Sequence, residues 1–266
     1  MQSTTSGMNR TGAAASLAGT KAMMEAVNEL TPPVPIDLTA GAAMRVQYIE
    51  EADAVGAVPP PVSLKGVVKS GVSRLGGGSP EILMDKIGER LAFERGGTRL
   101  YDALLTKYTA LAQSEGDVLP PASELLSEDG DASAAHEGES PTETLQRIRG
   151  EELSHFLMLR DAMTSLGGDP TAQTPCADVT TTASIGLIQV VTDPRTTLAQ
   201  CLNAMLTAEL TDNAGWELLI QLADEAGLTE LTGQFLAALG EEQQHLAIVK
   251  GWLAKLVSEN AGTPAV

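Results

Sequence analysis

Two hexapeptides carry the chain's most specific chemistry: GEELSH at 150–155 and GEEQQH at 240–245. Only three histidines occur, and His155 and His245 close the two copies of one Gly-Glu-Glu-x-x-His pattern. On a helix, residues three apart share a face, so Glu152 with His155, and Glu242 with His245, can each offer a carboxylate and an imidazole to one point. Both pairs run in register with apolar residues. Glu152 lies four residues after Ile148 and seven after Leu145; Glu242 lies four after Ala238 and seven after Phe235. A carboxylate on a core-facing stripe is costly unless it is protonated or paired. A divalent cation removes the conflict, because it takes hard oxygen donors and a neutral imidazole together.

A site for two such cations needs more carboxylates, and LAFERGGTRLY and LTAELTDNAGW supply them. Glu94 stands three residues after Leu91 and seven before Tyr101, and Glu209 stands four after Met205 and seven before Trp216. Both fall on apolar stripes, and the two halves of the chain read as a weak internal repeat. Glu151 and Glu241 point some 100° away from Glu152 and Glu242 beside them, toward solvent or toward a base on a neighbouring helix. Glu217 is a substitute ligand if the register slips, and His136, in the acidic stretch SEDGDASAAHEGES, reads as solvated. Gly96 and Gly97 follow Glu94 with only Arg95 between, at a helix-propensity cost of about 2 kcal/mol. Close helix approach, a local distortion or a break in the helix would each account for them.

Four long amphipathic segments must position these groups. The first, about 81–112, follows Ser79-Pro80. The second begins at Ser140-Pro141 with Glu143 as a capping box and stops at Gly167-Gly168. The third opens at Asp193-Pro194 and ends by Gly227, and the fourth runs from about Thr229 to Glu259. The third and fourth are joined so tightly that they must be antiparallel neighbours. Some 25 residues separate the second from the third, enough to cross from one end of a bundle to the other. No alternating strand pattern appears. The reading is all-α: a four-helix bundle over 81–259 with one long crossover, an extended Pro/Gly-containing arm with short helical patches (16–30, 39–55) over 1–80, and a tail over 260–266. The arm is expected to wrap over the main domain or a neighbouring subunit, since it cannot bury enough surface alone.

Composition narrows the partners. The chain has 35 Asp and Glu against 17 Lys and Arg, a formal net charge of −18. That balance repels phosphate backbones and anionic lipid, so nucleic acid and membrane are excluded as expected partners. Cys176 and Cys201 form no CxxC pair, which rules out a thiolate zinc site and fits a reducing compartment. The segment TGAAASLAGTKAMM at 11–24 is weakly apolar and interrupted by Lys21, so the chain is read as cytoplasmic.

One glutamate from each of two helices, plus Glu-x-x-His from each of the other two, resembles the ligand pattern of the ferritin-like superfamily, which includes ferritins, rubrerythrins and manganese catalases. The resemblance covers residues 81–259. It implies a carboxylate-bridged pair of metal ions, two Fe with Mn as the alternative. Glu94 and Glu209 would be terminal ligands and Glu152 and Glu242 bridges, with His155 and His245 each completing one shell. It also implies a tyrosine near the metals, for which Tyr101 is the candidate catalytic residue, although a plain core aromatic fits the same spacing. The implied activity is oxidoreductase chemistry on O2 or peroxide, such as Fe(II) oxidation or peroxide removal. Non-catalytic iron storage or delivery, and a structural or interaction bundle holding a non-redox metal, are the alternatives. The long acidic loop at 113–139 and the arm argue for a small homo-oligomer, a dimer, rather than the hollow twenty-four-subunit cage.

Overall fold

The computed structural model describes residues 16–34, 37, 39–52, 80–116, 118–125 and 138–262. The chain divides into two compact units, Met1–Ala54 and Val55–Val266. All regular structure among the described residues is helical. In the first unit, α1 (Leu17–Leu30) is capped by the Ser16 hydroxyl, which accepts from the Gly19 amide, and α2 (Thr39–Glu51) follows. Neither helix buries a residue. Of the arm expected over 1–80 to wrap over the main domain or a neighbouring subunit, residues 1–15, 35–36, 38 and 53–79 lie outside the described residues.

The second unit begins with α3 (Pro80–Glu115), followed by a single turn, α4 (Ala122–Leu125). Helix α3 runs unbroken through Gly96 and Gly97. Next come α5 (Pro141–Ser165) and α6 (Pro175–Thr192). The capping box of α5 forms as its sequence dictates: the Ser140 hydroxyl accepts from the Glu143 amide while Glu143 accepts from the Ser140 amide. Gly167, at φ +86°, ends α5 in the left-handed region. The last two helices are α7 (Leu198–Glu225) and α8 (Thr229–Gly262). Helix α3 packs along both α5 and α6 and touches α7; α7 packs along α8, and α5 meets α8. Trp252 of α8 donates to the Pro120 carbonyl at 2.9 Å, seating the α4 turn against that helix.

One element was not foreseen and one boundary changes. The middle of the crossover forms α6, with Thr174 as N-cap and Pro175 at the first helical position. Its Thr- and Ala-rich sequence buries only Ala177 and Val191, so no apolar stripe announces it. The third long helix does not open at Asp193-Pro194. Asp193 instead terminates α6, and α7 begins behind Thr197, whose hydroxyl and Gln200 make a second capping box.

The core of the second unit is split. One apolar cluster gathers Leu83, Ile87, Leu91, Leu159, Trp216 and Phe235; the other gathers Tyr101, Leu104, Ile148, Met205, Val249 and Trp252. On every long helix the first cluster's residues and the second's flank a short polar stretch. That stretch is Glu94 on α3, Glu152 and His155 on α5, Glu209 and Asp212 on α7, and Glu242 and His245 on α8. Seven ionisable side chains thus form a layer sealed between two apolar ones, each 3% exposed or less.

Candidate metal centre

A buried layer of this composition costs several kcal/mol per uncompensated charge. The helices meet that cost by turning the carboxylates and imidazoles on one another. Nδ1 of His155 lies 2.7 Å from Glu242 Oε1 and 3.6 Å from Glu94 Oε2. Nδ1 of His245 lies 3.2 Å from Glu242 Oε2 and 3.6 Å from Glu152 Oε1. Both rings therefore aim the same nitrogen inward. The outward nitrogens are held crosswise: His155 Nε2 is 2.7 Å from Glu241 on α8, and His245 Nε2 is 2.8 Å from Glu151 on α5. Each Gly-Glu-Glu-x-x-His copy thus uses its second glutamate inside the layer and its first to clamp the other copy's histidine. Arg147 holds Glu151 in turn, at 2.9 Å.

The glycines after Glu94 now have a cause. A Cβ on Gly97 would stand 1.9 Å from Glu152 Oε2, whereas one on Gly96 would meet nothing within 4 Å. Close approach of α5 to α3, rather than a break, explains the pair. Across the layer, the Tyr101 hydroxyl donates to Glu209 Oε1 at 2.5 Å. Asn213 donates to the carbonyls of Glu209 and Glu242 at 2.9 and 3.1 Å, tying α7 to α8 at the layer's height.

Donor atoms converge in three overlapping groups, each within 4.8 Å: Glu94, His155 and Glu242; Glu152, Glu209, Glu242 and His245; and Glu94, Glu152, Asp212 and Glu242. Glu242 belongs to all three and Glu152 to two. All six residues expected as ligands are brought together, with Tyr101 beside them. Glu217 is exposed on α7 and takes no part. His136 lies outside the described residues.

The electrostatics follow from the crowding. Burial, then the charge of Glu242, raises Glu152 well above the usual carboxylate range and Glu209 to about 8. Burial also raises Glu94, and the Glu242 charge adds to the effect. For His155, burial disfavours the charged ring, but Glu241, Glu242 and Glu94 outweigh it and push the imidazole up to about 12. His245 is raised well above its ordinary value in the same way, with Glu242 the main opponent of burial. Against burial, the two histidines together hold Glu242 well below the usual range. Free of metal, the layer is a store of shared protons.

Sequence reasoning missed two participants. Asp212 sits three residues after Glu209, at the same spacing as the Glu-x-x-His pairs, and that repetition was the available signal. Its partner, Arg90, is 1% exposed, bonds Asp212 through Nη1 and lies 4.3 Å from the centre of the Phe93 ring. Nothing local to the ERLAFERGG segment distinguishes Arg90 from the exposed Arg95.

The donor chemistry of the layer is compatible with divalent cations, on an observation of the layer itself. Both oxygens of Glu94, Oε2 of Glu209, Oε1 of Glu242 and Nδ1 of His155 are buried without a hydrogen-bond partner. His155 Nδ1 and Glu242 Oε1 are close in distance yet not aligned as donor and acceptor. Inward-facing donor atoms left without a partner in a buried layer are what a cation consumes, displacing any proton they carry. No family model, curated protein or solved structure matches the chain.

Proposed function

We propose that α3, α5, α7 and α8 form a ferritin-like four-helix bundle, crossed by α6, that holds two divalent metal ions, iron foremost, and acts on O2 or peroxide. The observation that carries this reading is the sealed layer: four carboxylates and two imidazoles, one Glu-x-x-His from each of α5 and α8, facing one another with unused lone pairs. One ion would be held by Glu94, His155 and Glu242, the other by Glu209, His245, Glu152 and Glu242, following the groups in which these donors converge. When bound, two iron ions supply one electron each for a two-electron reduction of an O–O bond, and manganese in the same donors would favour peroxide disproportionation.

The chain's own contributions are positional and electrostatic. Glu151 and Glu241 fix both rings so that Nδ1 faces inward, the tautomer a ligand needs. Tyr101, raised well above its ordinary value by burial and the surrounding carboxylates, keeps its proton and presents it to Glu209. The two apolar clusters exclude bulk water and strengthen every charge interaction within the layer. Arg90 offsets the charge of Asp212 beside Glu94 and Glu152, keeping a seventh carboxylate within reach of the centre.

The test is exposure of anaerobically Fe(II)-loaded protein to air or peroxide. The expected outcome is iron-dependent oxidation that is lost in the Glu152→Ala/Glu242→Ala variant. Oxidation no faster than that of free Fe(II) would leave a binding centre without turnover.

A further inference from the structure

A second concave site lies on the other flank of α3. Between α3 and the crossover helix α6 is a cleft of about 150 Å³, floored by Phe93, Leu100 and Ile188, with the exposed Ile185 at its rim. A second hollow, of about 200 Å³, continues toward Leu91 and Phe156 and shares Ala92 and Arg95 as walls. Together they follow α3 from Gly88 to Leu100, a path of about 18 Å at the helical rise.

The charge of this groove is opposite to that of the molecule. In a chain of net charge −18, neither hollow is lined by an acid, and each has arginine in its wall. Arg95 and Arg99 stand one turn apart on α3, and among the described residues neither has an ion-pair partner. Like charges at that spacing repel. The acid best placed to relieve Arg99, Asp102 one turn on, is already engaged by Arg149 at 2.7 Å. On the α6 wall, Thr181 and Ser184 donate their hydroxyl protons to carbonyls of their own helix. The charged groups of the groove are therefore two solvent-facing guanidinium forks, without an ion-pair partner among the described residues, beside an apolar floor. Such forks match a carboxylate in geometry and charge.

We infer that the groove between α3 and α6 binds an amphiphilic carboxylate, with an unbranched or flat apolar body laid on Phe93, Leu100 and Ile188 and its head held by Arg95 and Arg99. Gly96 makes the room: a side chain started there meets no atom within 4 Å and grows into the cleft. The neighbouring Gly97 abuts Glu152, so only the α3 backbone separates this groove from the carboxylate layer. The site does not depend on the metal reading, since its recognition groups are all outside that layer.

The test is calorimetric titration of the full chain, metal-free, with octanoate and with octanol as a neutral probe of the same length. Octanoate is expected to bind at least tenfold tighter than octanol. Arg95→Gln/Arg99→Gln should abolish that preference while leaving octanol binding unchanged. Gly96→Leu, which adds a good helix former and fills the cleft, should abolish binding of both without lowering the melting temperature. Equal affinity of the wild-type chain for the two probes, a preference for octanoate that survives Arg95→Gln/Arg99→Gln, binding of either probe that survives Gly96→Leu, or no binding by the wild-type chain would each overturn the inference.

Discussion

The Glu151 carboxylate lies 2.8 Å from Nε2 of His245, ninety-four positions along the chain, and Glu241 repeats the contact on His155 at 2.7 Å. The two copies of the motif are interlocked, each orienting the other's imidazole. Removing one clamp should leave the fold intact and loosen the ring. Glu151→Gln is expected to weaken metal binding by about 10- to 100-fold, the usual loss for a group that orients a ligand. Glu241→Gln should cost less, because its side chain is 47% exposed against 24% for Glu151. A Co(II) titration of both variants checks the order.

The paired glycines give a sharper contrast. Gly97→Ala puts a methyl group 1.9 Å from Glu152 Oε2, and the carboxylate must swing away. Metal affinity is expected to fall at least tenfold with helix content retained. Gly96→Ala, one residue earlier in open space, should stabilise the chain by about 0.5–1 kcal/mol through helix propensity and leave metal binding unchanged. Thermal melts and metal titrations of the two variants side by side read both effects.

Arg90 and Asp212 form a buried pair whose halves are not equally dispensable. Arg90→Met strands a carboxylate among Glu94, Glu152 and Glu242 and should cost about 3–5 kcal/mol in urea denaturation of the metal-free protein. Adding Asp212→Leu removes the stranded charge and should restore most of that loss. A double variant no more stable than Arg90→Met would show that the arginine acts through packing on Phe93 instead.

Proton storage sets the pH dependence. Glu209 ionises near 8 in the folded chain against an ordinary 4.5, and His155 stays charged to about 12 against 6.5. Between pH 4.5 and 8 for Glu209, and between pH 6.5 and about 12 for His155, the folded, metal-free chain holds more protons than the unfolded one, so each contribution is largest at the acid end of its window and is lost as pH rises through it. Glu151, lowered by His245 and Arg147 against its burial, acts oppositely, and its contribution is lost only as pH falls below the ordinary carboxylate value. The melting temperature of the metal-free protein is expected to fall from pH 5.5 to pH 8. Metal displaces the stored protons, so its stabilising effect should grow over the same interval. A metal-free melting temperature that rises with pH would contradict the shared-proton description of the layer.

The helical class and the meeting of the motif residues were legible because both rest on strong local signals. Apolar residues at helical spacing put Glu94, Glu152, Glu209 and Glu242 on inward faces, and the Ser140 capping box marked the start of α5 to the residue. What stayed hidden depended on partners distant in sequence. Asp212 is an ordinary helix acid until Arg90, 122 positions away, is seen beside it. The crossed Glu151 and Glu241 contacts need the separation of α5 and α8, which no periodicity supplies. Helix α6 was missed because its Thr- and Ala-rich surface leans on α3 without a continuous apolar stripe.

The central claim is that the layer between the two apolar clusters is a two-metal centre. The most direct measurement is iron bound per chain after anaerobic loading with Fe(II), wild type beside Glu152→Ala/Glu242→Ala. The account predicts about two irons per wild-type chain, as for a dinuclear carboxylate bundle, and none in the variant. Many irons per chain would point to storage, and equal, near-zero binding in both proteins would contradict the metal centre outright.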